Sequence, residues 1–422
     1  MPTVVLAVLA AVLLKAACEA TLLALARSRA KTLGAGAVPP EARAAFADDA
    51  AFAKAMAYSA TKARDGLLGE IWSGAITVAL LLGAAAALHG ALTGWLGAGS
   101  AWREALAALA FFLAVGALEL PLSVWSTFGT EAKFGFNRTT PGLWVADQLK
   151  GLAVGVVLGL ALLTPCAWFL QKFPSSWWLW AWAAFAAFQV LAAGLLTVVL
   201  LPLFNKLTPL EDGALKERLL GLASRAGFAA QSVQVMDGSK RSAHANAFFA
   251  GFGRMRRIVL FDTLITQLSP EELEAVLAHE IGHWKRGHIL KTMTLGVLGS
   301  LPVFALAGWL SRRPDLLADF GFKLVPDATH APFGALVPLF ALALGPVLYW
   351  LAPLTNGLSR KHEYEADAYA AGLTGGASAL TGALRKLYAA NSGNPLPHPA
   401  YALFHHSHPT LPERESALKR AE

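Results

Sequence analysis

Apolar residues along this chain come in long unbroken blocks, with polar stretches between them. Seven blocks reach the roughly 20 residues that a helix needs to cross a bilayer: about 3–26, 73–97, 105–125, 151–170, 177–204, 289–310 and 332–353. Two polar stretches between or after them are long, about 205–288 and 354–422. In the first, the short segments "SVQVMD" (232–237), "AHANAFFAG" (243–251) and "RRIVLFD" (256–262) predict three strands joined by glycine-containing turns. "LSPEELEAVLAHEIGHW" follows as a helix, with Ser269 as N-cap, Pro270 in the first helical position and Glu272 closing a capping box. The expected fold is mainly α: a polytopic membrane protein of seven transmembrane helices with a small α+β module. Its expected divisions are 1–204 (five spans with basic loops), 205–288 (the α+β module), 289–353 (two spans) and 354–422 (a helical C-terminal segment completing the site described below).

Composition agrees with the blocks. Of 422 residues, 55% are apolar and 15% charged, against about a quarter charged in soluble domains. A net charge of +7 raises the question of nucleic acid, but the basic residues are scattered through loops with no stripe interleaved with aromatics. Positive-inside topology accounts for them, and no nucleic-acid partner is expected. The loop after the first span carries Arg27, Arg29, Lys31, Arg43, Lys54, Lys62 and Arg64, whereas the loops after the second and fourth offer only Arg103 and Lys172. That alternation predicts an outside N-terminus, with both long polar stretches on the cytoplasmic side. The first block lacks a basic leader and a clean cleavage site and is expected to be retained. Alanine-rich composition and the absence of an ER-retrieval signal in "ALKRAE" point to a bacterial inner membrane. Cys18 and Cys166 lie inside apolar blocks and imply neither a disulfide framework nor a metal site. Lys15, Glu19, His89 and Glu119 fall within spans. Lys15 and Glu19 are four apart and can pair on one helix face, and buried charges at such depth face a partner or an aqueous chamber.

The chemistry concentrates in "AVLAHEIGHWKRGH" (275–288). His279 and His283 share a helix face, and Glu280 sits about 100° round the helix. H-E-x-x-H supplies two neutral imidazoles for a zinc ion and a carboxylate to take a proton from water. Catalytic zinc needs a third protein ligand and an open position. "LTNGLSRKHEYEADAYA" (354–370) offers Glu363 as that ligand, with Asp367 one turn on to hold a ligating histidine by its free N–H. His362 is the rival ligand, and Glu365 points to the other side of the helix. In "HHSHPTLPERESAL" (405–418), His408 and Arg414 are candidate donors to an oxyanion.

Together with "FGFNRTTPGLWVADQLKG" (134–151), "SKRSAHANAFFAGFG" (239–253) and "RRIVLFDTLI" (256–265), these segments resemble the type I CAAX prenyl endoprotease family, integral-membrane zinc metalloproteases. The resemblance implies seven helices around a large internal chamber closed by the protease module. It implies one zinc per chain held by His279, His283 and Glu363, with Asp367 behind them and Glu280 as general base. His408 and Arg414 would be transition-state helpers, and Asn246 would hold substrate backbone. Expected partners are the lipid bilayer and a peptide or protein substrate, prenylated CaaX proteins included. Two alternatives stand beside this reading: a quality-control membrane protease of the heat-shock type, which is shorter, and a transporter in which zinc is structural or cargo.

Overall fold

The computed structural model describes the whole chain except residues 98, 229–231, 251–256, 324–328 and 422. Gly251 and Arg256, at the ends of two predicted strands, lie outside the described residues.

Each apolar block forms a helix, and most helices run past the block that predicts them. Helix α1 spans Thr3–Gly34, α2 Asp49–Leu96, α3 Ala101–Phe134, α4 Pro141–Lys172 and α5 Trp177–Phe204. The capping oxygen of Asp48 accepts from Ala51 N and starts α2 some 24 residues before its apolar block. Gly83, at φ 123°, breaks α2 within the membrane. Large side chains such as Leu13, Leu14, Val157 and Leu290 remain exposed, as in helices that meet lipid.

The polar module begins with β1 (Leu207–Pro209), α6 (Ala214–Arg225), β2 (Ser232–Met236), β3 (Ala247–Ala250) and β4 (Arg257–Phe261). They form a sheet of order β1-β2-β4-β3, with β2 parallel to β4 and the outer pairs antiparallel. The second predicted strand, 243–251, is shorter at its start than expected: residues 243–246 are not in the ladder. There Ala243 N donates to Phe136 O at 3.0 Å and Phe261 N to Asn246 O at 3.1 Å, and Asn391 Oδ1 accepts from Ala245 N at 3.2 Å.

Helix α7 (Pro270–Lys285) starts with the predicted capping box. It ends before Gly287, whose φ of 68° turns the chain directly into α8 (His288–Leu310). Helix α9 (Phe333–Thr374) leaves the membrane and continues as one rod into the module. It is followed by α10 (Ser378–Ala390), α11 (Pro399–His405) and α12 (Leu411–Ala421). One hydrophobic core, including Leu222, Val233, Leu260, Leu277, Ile281, Ala370 and Leu384, ties α6, the sheet, α7, the end of α9 and α10 together. A second core, around Leu81, Ala108, Ala167 and Ala335, sits among the membrane helices.

One expectation inside the membrane is corrected. Lys15 does not pair with Glu19: its Nζ lies 2.5 Å from Glu70 Oε2 on α2. Glu19 accepts from the Tyr349 hydroxyl at 2.9 Å and faces His405 Nε2 at 3.1 Å. The neighbouring helices α2, α9 and α11 offer closer partners than the same helix, where two long side chains would have to bend toward each other.

Candidate metal centre

Helices α7 and α9 cross at Gly282, where an added Cβ would lie 3.0 Å from Ala366 Cα and 3.1 Å from Ala366 O. A glycine lets the two backbones approach closely enough for side chains of both to share one point. His279 and His283 come from α7 and Glu363 from α9, and donor atoms of all three lie within 4.8 Å of one another. The two Nε2 atoms are 3.2 Å apart. His283 Nε2 stands 3.2 Å from Glu363 Oε1, and His279 Nε2 3.5 Å from Glu363 Oε2. Ligands 2.0–2.1 Å from a tetrahedral ion are separated by about 3.3 Å, so these spacings fit one face of its coordination shell. Glu363 Oε2 is buried without a hydrogen-bond partner, which a cation at this point would satisfy.

Behind the face, His279 Nδ1 lies 2.8 Å from Asp367 Oδ1. Asp367 is held in turn by Arg414, whose Nε donates to Oδ2 at 2.8 Å and Nη2 to Oδ1 at 2.5 Å. Both residues are buried, and Arg414 Nη1 also comes within 3.6 Å of Glu363 Oε2. Burial disfavours charge on His279, yet the bonds to Asp367 and Glu363 outweigh it and hold its pKa up to about 9. The carboxylates that favour a proton there would favour a divalent cation between the rings for the same electrostatic reason.

Glu280 lines a cleft of about 150 Å³ with His279, Ala245, Asn246, Ala247 and Arg414. Its carboxylate has no hydrogen-bond or ion-pair partner among the described residues, and burial raises its pKa. Both properties suit a proton acceptor beside a metal. Asn246 is exposed at the cleft's lip, where its own Oδ1 accepts from Ala247 N at 2.8 Å. His408 is largely exposed, with Nε2 3.4 Å from Glu363 Oε1. Glu363 and His408 also line a larger cavity of about 600 Å³ that α5 and α8 help to wall, through Gln189, Met293 and Gly296.

Two residues given no place in the site on sequence grounds belong to it. The Nδ1 atoms of His283 and His288 are 3.0 Å apart, and His288 Nε2 lies 3.1 Å from Glu365 Oε2. With His283 Nε2 turned to the cluster, one tautomer set satisfies this chain: His283 Nδ1–H donates to His288, and His288 Nε2–H donates to Glu365. His362, the rival ligand, stacks on His288 with ring centroids 4.0 Å apart and planes 9° from parallel. The available signal is the spacing in "HWKRGH", which places His288 just past the helix end.

The same architecture occurs in known proteins. A family model described as "CAAX prenyl protease N-terminal, five membrane helices" matches residues 30–206, and one for peptidase family M48 matches residues 209–422. The CAAX prenyl protease 1 of Saccharomyces cerevisiae is 35% identical over 391 residues, 88% of this chain and 86% of that one. The homolog from Homo sapiens is 33% identical over 337 residues, covering 71% and 70%. The crystal structure of S. mikatae Ste24p superposes with a TM-score of 0.87 at 32% identity, over 99% of both chains.

Proposed function

The chain belongs to the type I CAAX prenyl endoprotease family, integral-membrane metallopeptidases of peptidase family M48, and from that premise we propose how its residues divide the work. The end-to-end likeness leaves the shorter heat-shock-type protease and the transporter without support. The protein hydrolyses peptide bonds as a membrane-embedded zinc metalloendopeptidase. His279, His283 and Glu363 hold one zinc per chain. The observation that carries this assignment is the convergence of their donor atoms, with an unpartnered Glu363 oxygen, between a cleft and a cavity walled in part by α5 and α8. Zinc, when bound there, supplies a Lewis acid that acidifies water and polarises a carbonyl.

The chain's own groups do the rest. Glu280 accepts the proton of the attacking water and returns it to the leaving amine. Asp367, braced by Arg414, fixes the tautomer and angle of His279. His408 stands where it can donate to the developing oxyanion, and Arg414 adds positive charge from behind Glu363. β3 ends the strand order of the described sheet, so an extended peptide can add along it, with Asn246 at the entry to the cleft. The substrates are prenylated CaaX proteins, whose C-terminal tripeptide is removed. Residues 205–288 and 354–422 face the cytoplasm and the N-terminus lies outside. A bacterial inner membrane is the location proposed, on the alanine-rich composition; the relatives named above are eukaryotic.

The deciding experiment is cleavage of a farnesylated CaaX peptide, its unprenylated twin beside it, by wild type and Glu280→Ala. Wild type cuts the farnesylated peptide faster and the variant cuts neither. Equal cutting of the two peptides removes prenyl recognition, and normal cutting by the variant removes Glu280 from the mechanism.

A further inference from the structure

His408 borders a third cavity, of about 410 Å³. Its wall is apolar where Pro397, Pro399 and Leu403 line it, and cationic where Arg29 and Arg360 reach it. Arg29, at the end of α1, is exposed and has no ion-pair partner among the described residues. Arg360 lies one turn before Glu363 on α9, and its Nη1 donates to His406 O at 2.7 Å, which holds it over the loop that carries His408. The one carboxylate on the wall, Glu413, is already engaged: its Oε2 accepts from Thr410 N at 2.7 Å and from Thr410 Oγ1 at 2.9 Å. The pocket therefore presents one uncommitted guanidinium and one anchored guanidinium, a single imidazole away from the metal centre.

Arginine forks of this kind suit a carboxylate. Three extended residues span about 10 Å, and His408, which lines the pocket, also stands 3.4 Å from Glu363 at the metal centre. Resting on the protease reading above, we propose that this pocket binds the C-terminal carboxylate of the peptide substrate. Arg29 and Arg360 receive the anion, and the proline-lined wall receives the last side chain. The inward path is then continuous: chain body along the β3 cleft, reacting bond at the metal centre, terminus in the arginine pocket.

The test compares a farnesylated CaaX peptide ending in a free acid with the same peptide ending in a carboxamide. Steady-state KM and kcat are measured for wild type, Arg29→Gln, Arg29→Lys and Lys31→Gln, the last an exposed charge outside the pocket. The expected result for wild type is a KM for the amide about fivefold or more above that for the acid, the loss of one charge-assisted contact, with kcat little changed. Arg29→Gln abolishes the preference for the acid, while Arg29→Lys and Lys31→Gln retain it. Equal KM values for acid and amide in wild type overturn the pocket while leaving the protease and its substrate class standing. An acid preference that survives Arg29→Gln also overturns it. If wild type cuts neither peptide, the substrate reading falls and the pocket falls with it.

Discussion

At the scale of single residues, the proposed mechanism separates groups that react from groups that aim them. Glu280 has no partner among the described residues to hold it, whereas His279 is fixed from two sides by Asp367 and Glu363. Replacing Glu280 with Gln keeps shape and removes the base. The variant is expected to bind zinc with wild-type stoichiometry while kcat falls by about 10²–10⁴; metal analysis beside a turnover assay checks it. His288 tests the opposite property. Because it touches His283 at Nδ1 and not at the atom turned to the cluster, His288→Ala is expected to weaken metal affinity about 10–100-fold. Substituted cobalt reports this through its visible spectrum, and Glu365→Gln, which keeps an acceptor oxygen, loses less. An unchanged affinity in His288→Ala would leave the ring a packing element only. The convergence of His279, His283 and Glu363 was legible in the sequence because spacing on one helix and one short motif brings them together. His288 was not, since its role depends on a turn at Gly287 and on a carboxylate from a distant helix. The Lys15–Glu19 pair failed for the same reason: i,i+4 spacing shows what can meet on one helix, not what a neighbouring helix brings closer.

At the scale of elements, hydropathy finds the part of a helix that crosses lipid and misses its polar continuation. Residues 49–72 carry Lys54, Lys62, Arg64, Asp65 and Glu70 and read as loop, yet they extend α2 by more than six turns' worth of chain at 3.6 residues per turn. Their charges are used: Asp65 accepts from the Thr130 hydroxyl, and Lys62 sits 3.1 Å from Glu131 on α3. The helix α9 does likewise, which is how Glu363 and Asp367 reach α7 on a rod anchored in the membrane. The contact between α7 and α9 depends on Gly282. Gly282→Ala adds a methyl against backbone atoms 3.0 and 3.1 Å away, so the helices must separate by a few tenths of an ångström. Since the metal face is built from both, activity is expected to fall about tenfold or more with the protein still inserted. Turnover per folded molecule, counted after gel filtration in detergent, decides it. Undiminished turnover would mean that the site tolerates that separation.

At the scale of the whole molecule, the membrane and the protease module share one rigid part, because α8 and α9 belong to both. The site therefore has a fixed height relative to the bilayer, and its side of the membrane decides which substrates reach it. Loop charge predicts the module on the cytoplasmic side. The two native cysteines lie in spans, at Cys18 and Cys166, so replacing both with alanine leaves a background on which single cysteines report topology. Asp212 is exposed in the module, and Ser175 is exposed in the short turn between α4 and α5. With a membrane-impermeant maleimide on intact cells, Ser175→Cys is expected to label at once and Asp212→Cys only after permeabilisation. The reverse pattern would put the metal centre outside the cell, where no cytoplasmic prenylated protein could meet it, and would force a different substrate onto the same chemistry.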